Sequence, residues 1–217
     1  DLRSPLSRLR VKVERAVALD DGPQRDAALN GLIQETDIIM RMLSTLLEIG
    51  RLETMHGRSQ FDWIEPSALL STLCDMYEPV MEDARVAFSA AVEGPILPMR
   101  AHGELLSQAL ANLVDNAMRH GCRGDGGDAI AIRLSAHGNE LVLAVEDRGS
   151  GIAPDEEGEA RRRFGRLDAA RSRPGAGLGL ALVEAVSRMH GGRLELAANA
   201  PGLAARMILP TGLAALG

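Results

Sequence analysis

The sequence predicts an α+β protein in which a helical hairpin precedes a mixed β-sheet that carries helices on one face. Apolar residues in the first 54 positions recur at intervals of three or four, as on one face of an amphipathic helix. Farther along the chain, helical and strand-like segments interleave, and two pairs of strand-like segments are joined by short turns. Adjacent antiparallel strands combined with helices are typical of an α+β sandwich. We therefore expect two domains, residues 1–54 and 60–217.

The first domain is predicted to consist of two antiparallel helices joined by a turn at residues 20–23. The first helix is marked by apolar residues at three- and four-residue intervals, namely Leu2, Leu6, Leu9 and Val13. The second should occupy about residues 24–54, where the apolar positions come close to a heptad repeat. Because two helices cannot bury both apolar faces alone, a second copy would complete a four-helix bundle. The alternative is a hairpin packed on its own C-terminal domain.

The second domain is predicted to follow a linker that contains His56, Gly57 and Ser59. Helices are expected at residues 66–84, 103–120 and 178–190. Strands are expected at residues 61–64, 86–92, 129–136 and 140–147, with a final hairpin within 193–210.

Composition and charge exclude several classes of protein. A formal net charge of −6 argues against a general nucleic-acid binder, which would present a basic face. No apolar run approaches the roughly 20 residues of a transmembrane helix, and the charged opening DLRSPLSRLR is unlike a signal peptide. The two cysteines, Cys74 and Cys122, form no metal-binding motif, so we expect reduced thiols.

The basic residues exclude two common kinds of ATP site. Lys12 is the only lysine among the 24 Lys and Arg residues, and it lies in a helical segment without neighbouring glycines. A P-loop needs a lysine directly after its glycines, and the usual protein-kinase site needs a lysine on a β-strand. If the protein handles ATP, it must therefore do so without a lysine.

The first motif that could carry chemistry lies on the predicted helix at 103–120. At about 100° per residue, Asn112, Asn116 and Arg119 fall on one stripe, and His120 follows. Two amides and a guanidinium on one face could hold a hydrated Mg²⁺ ion and a triphosphate, because Mg²⁺ prefers oxygen ligands and retains water. The alternative is a polar face turned to solvent.

The second motif is an aspartate at the end of a predicted strand. Asp147 is followed closely by Gly149 and Gly151. Its carboxylate could accept a hydrogen bond from an adenine amino group, and the glycines would let the backbone approach the base. The alternative is a simple turn.

The third motif is a glycine-rich loop before an apolar helix. Gly175, Gly177 and Gly179 precede this helix, whose N-terminal N–H groups could bind phosphate. The stretch before it carries Arg166 and Arg171, and could close over phosphates as a lid. The alternative for those cations is a solvated surface.

The order and spacing of these motifs are more specific than any one of them. NLVDNAMRH, DRGSG and FGRLDAARSRPGAGLGLALVEAVSRMHGG resemble, in that order, the catalytic domain of sensor histidine kinases in the GHKL ATP-binding superfamily. The opening DLRSPLSRLR resembles the segment after the phospho-accepting histidine of their dimerisation domain. The resemblance extends over essentially the whole chain. It implies a Bergerat-type α/β sandwich, a dimeric four-helix bundle, and ATP and Mg²⁺ as ligands.

The resemblance also implies a role for each matching residue. Asn116 looks like the Mg²⁺ ligand with Asn112 beside it, and Asp147 looks like the residue that reads adenine. Phe164 and Arg166 fit the lid. The implied nucleotide-binding positions are Asn112, Asn116, Arg119, His120, Asp147, Gly149, Gly151, Phe164, Arg171, Gly175, Gly177, Leu178 and Gly179.

The family's acceptor histidine would lie immediately before Asp1, and none of the five histidines occupies that motif. We therefore expect the chain as given to bind ATP without autophosphorylating. Asp1 resembles the acidic neighbour that acts as general base toward this histidine. Ser4 stands where phosphatase-competent relatives usually carry Thr or Asn, which weakens the case for phosphatase activity.

The implied reaction passes a phosphoryl group from ATP to a histidine, and then to an aspartate of a response-regulator receiver domain. Hydrolysing members of the superfamily carry a glutamate where this chain has Asn112, a poor base, so transfer is favoured over hydrolysis. The other alternative is a non-catalytic scaffold that binds nucleotide. We expect a homodimer that binds no nucleic acid. The resemblance also implies the cytoplasmic end of a longer receptor, anchored in the bacterial inner membrane by upstream segments.

Overall fold

The computed structural model of the chain describes residues 3–19, 22–54, 61–122, 127–153, 156–161 and 178–211. Its first two helices, α1 (Arg3–Val17) and α2 (Pro23–Thr54), contact each other as a hairpin. Between them, the Lys12 ammonium lies 2.7 Å from the Glu35 carboxylate, whose side chain is only 8% exposed. The single lysine of the sequence thus forms an ion pair that joins the two helices.

The larger of two sheets is mixed. Its strands are β2 (Ala87–Glu93), β4 (Ala129–His137), β5 (Glu140–Asp147), β6 (Arg193–Ala198) and β7 (Leu203–Pro210). They lie in the order β2-β4-β5-β7-β6, with β2 and β4 parallel and the other neighbours antiparallel. A smaller sheet pairs β1 (Asp62–Ile64) with β3 (Met99–Ala101) in antiparallel fashion.

Helices cover one face of the larger sheet. They are α3 (Pro66–Ala84), α4 (Gly103–Asn116) and α6 (Gly179–Met189). Along β4, Ile130 and Ile132 are buried in the core, whereas Arg133 is exposed and pairs with Glu93 and Glu146. This alternation is expected when one face of a sheet is packed and the other is solvated.

The hairpin is joined to this core through the C-terminal part of α2. Helix α2 contacts α6, and its Ile49 is 1% exposed and belongs to the same apolar core as the sheet and its helices. The C-terminal end of α2 therefore packs on the second domain of its own chain, as the alternative prediction had it. Elsewhere on the hairpin, apolar side chains stay exposed, namely Leu6, Val11, Val13, Val17, Leu29, Ile33, Met40, Leu43 and Leu47.

Most helices and strands lie within a few residues of their predicted positions, but three features differ. The helix predicted for 103–120 leaves the α conformation after Asn116 and continues as a π-helical turn, Ala117–Gly121. Strand β3 and the short helix α5 (Glu157–Arg161) were not predicted, because elements this short show no measurable period.

The predicted linker at His56, Gly57 and Ser59 lies outside the described residues. Within the described ranges, no helix combines the length and the apolar character needed to cross a membrane.

Candidate functional site

Asp147 is the buried acidic group of the candidate site. It ends β5 and is 6% exposed. Its Oδ1 accepts hydrogen bonds from the backbone N–H groups of Gly149, at 2.8 Å, and Leu203, at 3.2 Å. Among the described residues, both hydrogen bonds to this carboxylate reach Oδ1. The arrangement leaves Oδ2 to accept a hydrogen bond from a ligand.

Burial raises the pKa of the Asp147 carboxyl, because the charged form loses solvation. The N–H groups of Gly149 and Leu203 oppose this rise, because they bind the charged form. The same two bonds fix the orientation of the carboxylate. A fixed acceptor of this kind can recognise an amino group on a planar base.

Glycines surround Asp147 at positions where a side chain would not fit. A Cβ on Gly121 would lie 2.4 Å from the Asp147 Cβ, and one on Gly149 would lie 2.5 Å from the His120 carbonyl oxygen. A Cβ on Gly202 would lie 1.9 Å from the Asp147 carbonyl oxygen. The π-helical turn, the end of β5 and the β6–β7 turn therefore meet around one carboxylate.

Sequence reasoning found only part of this glycine cluster. Gly149 and Gly151 were predicted, and a Cβ on Gly151 would lie 2.9 Å from the Gly202 carbonyl oxygen. Gly121 and Gly202 were missed. Gly121 directly follows the NLVDNAMRH motif and could have been included with it, whereas nothing local in the sequence connects Gly202 with Asp147.

Asn112 and Asn116 lie against the first residue of α6. A Cβ on Gly179 would lie 3.1 Å from Asn116 Nδ2 and 3.2 Å from Asn112 Oδ1. The Asn112 side-chain amide donates to the Gln108 carbonyl oxygen at 2.9 Å, which leaves Oδ1 on the side of Gly179. Two motifs that are distant in the sequence are thus in contact.

The N-terminus of α6 brings backbone donors to the asparagine pair. Leu178 is 2% exposed, and its carbonyl oxygen accepts the N–H of Leu182 at 3.0 Å, as at the start of a helix. The first N–H groups of a helix have no partner within the helix, and the helix dipole makes that end positive. Such an end binds phosphate and other anions.

Arg119 and His120 lie on the π-helical turn. Hydrogen bonds in such a turn run from i to i+5, so the α-helical period used to predict one stripe for Asn112, Asn116 and Arg119 does not hold beyond Asn116. Arg119 Nη2 lies 3.6 Å from Asp115 Oδ2, and the Tyr77 hydroxyl of α3 donates to Asp115 Oδ1 at 2.8 Å. Both Arg119 and His120 are exposed.

Several predicted site residues are not described by the structure. The lid and loop positions outside the described ranges are Phe164, Arg166, Arg171, Gly175 and Gly177, and Asp1 also lies outside them. Ser4 lies in α1, but its side chain is not described. The predictions for these residues stand untested.

The described groups fit a magnesium nucleotide. Amide oxygens of the kind that Asn112 and Asn116 carry are suitable Mg²⁺ ligands when phosphate and water complete the shell. The α6 N-terminus offers N–H donors beside them, and Asp147 offers a fixed acceptor at the other end of the π-helical turn. The fold and the described groups are those of a candidate nucleotide site in which no lysine takes part.

Comparison with known proteins identifies the family. Residues 101–212 match the family described as histidine kinase-, DNA gyrase B- and HSP90-like ATPase. The match includes α4, Asp147 and α6, which form the described part of the site.

Curated relatives are sensor histidine kinases. The sensor-like histidine kinase SenX3 of Mycolicibacterium smegmatis is 28% identical over 199 residues, which are 90% of this chain and 51% of that protein. The signal transduction histidine-protein kinase/phosphatase MprB of the same species is 32% identical over 224 residues, 97% of this chain and 44% of that protein. This chain belongs to the histidine kinase-, DNA gyrase B- and HSP90-like ATPase family. It spans about half the length of the curated relatives it matches.

Solved structures show the same fold. The histidine kinase AdeS of Acinetobacter baumannii superposes with a TM-score of 0.74 at 17% identity and covers 97% of both chains. The histidine kinase ThkA, solved in complex with response regulator protein TrrA, gives 0.71 at 19% identity and covers 97% of this chain and 59% of that one. At these identities the likeness concerns the fold alone.

Proposed function

We propose that this chain is the catalytic core of a sensor histidine kinase that transfers the γ-phosphoryl group of ATP to a histidine. One observation carries the proposal: α4 connects two binding features. Its asparagines lie against the α6 N-terminus, and the turn that follows it packs on Asp147. A base bound at Asp147 and phosphates bound at α6 would therefore lie along one continuous surface.

In the proposed complex, Asp147 Oδ2 accepts a hydrogen bond from the adenine amino group. Oδ1 keeps its bonds to Gly149 and Leu203, so the carboxylate is oriented before ATP arrives. Gly149 and Gly151 let the backbone lie close to the base. The remaining proposed nucleotide contacts are His120, Phe164, Arg171, Gly175, Gly177, Leu178 and Gly179.

Asn116 is the proposed Mg²⁺ ligand, with Asn112 beside it. Bound Mg²⁺ supplies positive charge that neutralises the phosphates. Arg119 and Arg166 would add to this charge. Phosphoryl transfer depends mainly on such positioning and electrostatic stabilisation. Since Asn112 is an amide and a poor base for water, we favour transfer to a protein side chain over hydrolysis.

The acceptor would be a histidine beside Asp1, which would polarise it as a general base. None of the five histidines of the chain is in that position, so we propose that this chain binds ATP without phosphorylating itself. Ser4 stands at the position linked to phosphatase activity, where it replaces the usual Thr or Asn.

We further propose that the hairpin at residues 1–54 pairs with a second copy, ahead of a catalytic domain at 60–217. The exposed apolar residues of α2 recur at intervals of three, four or seven, on positions 29, 33, 40, 43 and 47. Such heptad-like spacing is typical of a seam between helices. The completed bundle would receive a response-regulator receiver domain, as ThkA is seen with TrrA. We also propose that the chain is the cytoplasmic part of a sensor anchored in the inner membrane.

The deciding experiment compares the 217-residue chain with a version that carries one histidine added before Asp1. Both should bind ATP·Mg²⁺ in a titration, because the nucleotide site is the same. Only the extended chain should acquire acid-labile label from ATP labelled at the γ-phosphate. Label on the unextended chain would mean that the acceptor is elsewhere, and failure of both to bind ATP would refute the proposed function.

A further inference from the structure

Asn199 lies in the turn that joins β6 to β7, outside every motif by which the site was predicted. Its side-chain Nδ2 donates to the backbone carbonyl oxygen of Asp147 at 3.0 Å. Its own backbone N–H donates to the Gly202 carbonyl oxygen at 3.0 Å, which closes the turn at residues 199–202. Asn199 therefore connects this turn to the residue that carries the candidate base contact.

Side chains continue the connection between β5 and β7 where the regular strand pairing ends. The last pair of the β5–β7 register is Glu146 with Ala204. Beyond it, the Asp147 carbonyl oxygen accepts from the Asn199 side chain, and Asp147 Oδ1 accepts from the Leu203 N–H at 3.2 Å. One residue is thus held at its backbone by Asn199 and at its side chain by Leu203.

The two donors to Asp147 Oδ1 come from different parts of the chain. Gly149 follows Asp147 by two residues, so its N–H moves together with the end of β5. Leu203 begins β7, so its N–H fixes the carboxylate relative to a second strand. A single donor lets the carboxyl plane turn about the bonded oxygen, whereas two donors from separate segments hold it in one orientation.

The turn at residues 199–202 packs tightly against Asp147. Gly202 is buried at a φ of +116°, and a Cβ on it would lie 1.9 Å from the Asp147 carbonyl oxygen. The bond from Leu203 is already at the long end of the usual range for N–H···O contacts. A small outward movement of the turn would therefore break it.

We propose that Asn199 is a positioning residue for adenine recognition: it holds the turn at residues 199–202 against the end of β5 and so maintains the orientation of the Asp147 carboxylate. The inference deepens the proposed function and rests on it, because it takes Asp147 as the base contact. Without the Asn199 amide, the buried Asp147 carbonyl loses a donor and the turn can move away from β5. The Leu203 N–H then no longer fixes the carboxylate.

The first experiment needs no nucleotide. Hydrogen exchange resolved by residue in NMR measures how often each backbone N–H is released from its bond. In Asn199→Ala, the Leu203 N–H should exchange about tenfold faster, since the bond to Asp147 is lost. The Ala205 N–H, which lies farther along β7, should keep its rate and reports on folding. Asn139→Ala, in the β4–β5 turn, is the matched control and should alter neither rate.

The second experiment compares ATP with purine riboside triphosphate, which lacks the amino group of adenine. Dissociation constants of both nucleotides are measured by calorimetry on the full chain. Asn199→Ala should weaken ATP roughly three- to tenfold and leave purine riboside triphosphate unchanged, so that the preference for ATP falls toward one. Asn199→Asp keeps the size of the side chain without its donor and should reduce the preference at least as far. Asn139→Asp adds the same charge in another turn and should preserve it.

A merely structural role for Asn199 would give different results. Equal weakening of both nucleotides would overturn the proposal, as would exchange that accelerates equally at Leu203 and Ala205. Exchange at Leu203 that stays unaltered in Asn199→Ala would overturn it as well. If the unaltered chain bound ATP no better than purine riboside triphosphate, the proposed base contact would fail, and the recognition role with it. The exchange rates would then still show whether Asn199 holds the turn, so the two failures are distinguishable.

Discussion

Asp147 meets two opposed requirements at the scale of a single residue. Burial penalises its charge and raises its pKa, whereas the N–H groups of Gly149 and Leu203 favour the charge. A buried carboxylate of which one oxygen accepts hydrogen bonds from the backbone contributes little to packing. Groups whose pKa is shifted in this way cluster at functional sites, which is consistent with the proposed role in binding.

Asp147→Asn should abolish measurable ATP binding, a loss of roughly 100-fold or more. The N–H groups of Gly149 and Leu203 require an acceptor, so the new amide would turn its oxygen to them. Its NH₂ group would then face the adenine amino group, donor against donor. Isothermal titration calorimetry measures the change, and an unaltered affinity would rule out the adenine assignment.

Thermal unfolding provides the control for that variant. Because the folded-state pKa of Asp147 is raised, the ionised form at neutral pH costs folding free energy, and this cost is relieved as the pH falls toward that pKa. A neutral amide has no such cost, so the unfolding midpoint at pH 7 should stay equal or rise. A much lower midpoint would attribute the lost binding to misfolding.

Asn116→Ala should remove the Mg²⁺-dependent part of the ATP affinity, because it deletes the proposed oxygen ligand. The measurement is the ratio of ATP dissociation constants with and without Mg²⁺, which should approach one in the variant. Asn139→Ala, in the exposed β4–β5 turn, is the matched control and should keep the ratio of the unaltered chain. A variant at position 116 that still responds to Mg²⁺ would contradict the ligand role.

At the scale of elements, the π-helical turn Ala117–Gly121 determines how α4 meets β5. It delivers Gly121 to a position where its Cα lies against Asp147, and it also directs Arg119 toward Asp115. π-Helical turns within α-helices are frequent at functional sites. Here the turn joins the helix that carries both asparagines to the strand that ends at Asp147.

Gly121→Ala should disturb this junction more than a usual helix substitution. The added Cβ would lie 2.4 Å from the Asp147 Cβ, so either the turn or the strand end must move. We expect a loss of about 1–3 kcal/mol in the free energy of unfolding and at least tenfold weaker ATP binding. Chemical denaturation and calorimetry test both effects.

Gly158→Ala is the control for that experiment. Gly158 lies in α5, and a Cβ there would meet no atom within 4 Å. Its stability and ATP affinity should remain close to those of the unaltered chain. If Gly121→Ala behaved in the same way, the close packing around Asp147 would have no functional consequence.

At the scale of the whole molecule, the hairpin has two kinds of apolar surface. Ile49 is buried in the core of the second domain, whereas Ile33 and Leu47 are 60% and 68% exposed. Burying exposed apolar area contributes roughly 25 cal/mol per Å². In the proposed dimer, burial of this exposed apolar area would favour association of the two copies.

Ile33→Glu should convert the proposed dimer to a monomer, because it places a charge in the seam. Sedimentation equilibrium measures the mass in solution. Leu97→Glu is the matched control, since Leu97 is 74% exposed but lies in the second domain, and it should leave the dimer intact. A monomeric unaltered chain would contradict the proposed bundle.

How many of the helices and strands could be predicted depends on how local the sequence pattern of each one is. Helix α3 was predicted at its observed bounds because its apolar period extends over 19 residues. The β4–β5 hairpin was predicted because alternating residues flank His137-Gly138-Asn139. Short elements such as β3 depend on pairing with a distant strand, so no local pattern reports them.

By itself, the sequence predicted a two-part organisation and excluded a P-loop through its single lysine, and its resemblance to sensor histidine kinases implied the roles proposed for Asn116 and Asp147. Periodicity and motif order are local properties, which is why they could be interpreted without coordinates. Tertiary structure decided the π-helical turn, the closure of Gly121 and Gly202 around Asp147, and the contact of Tyr77 with Asp115. These features are contacts between distant segments, and their geometry follows from packing that no single segment encodes.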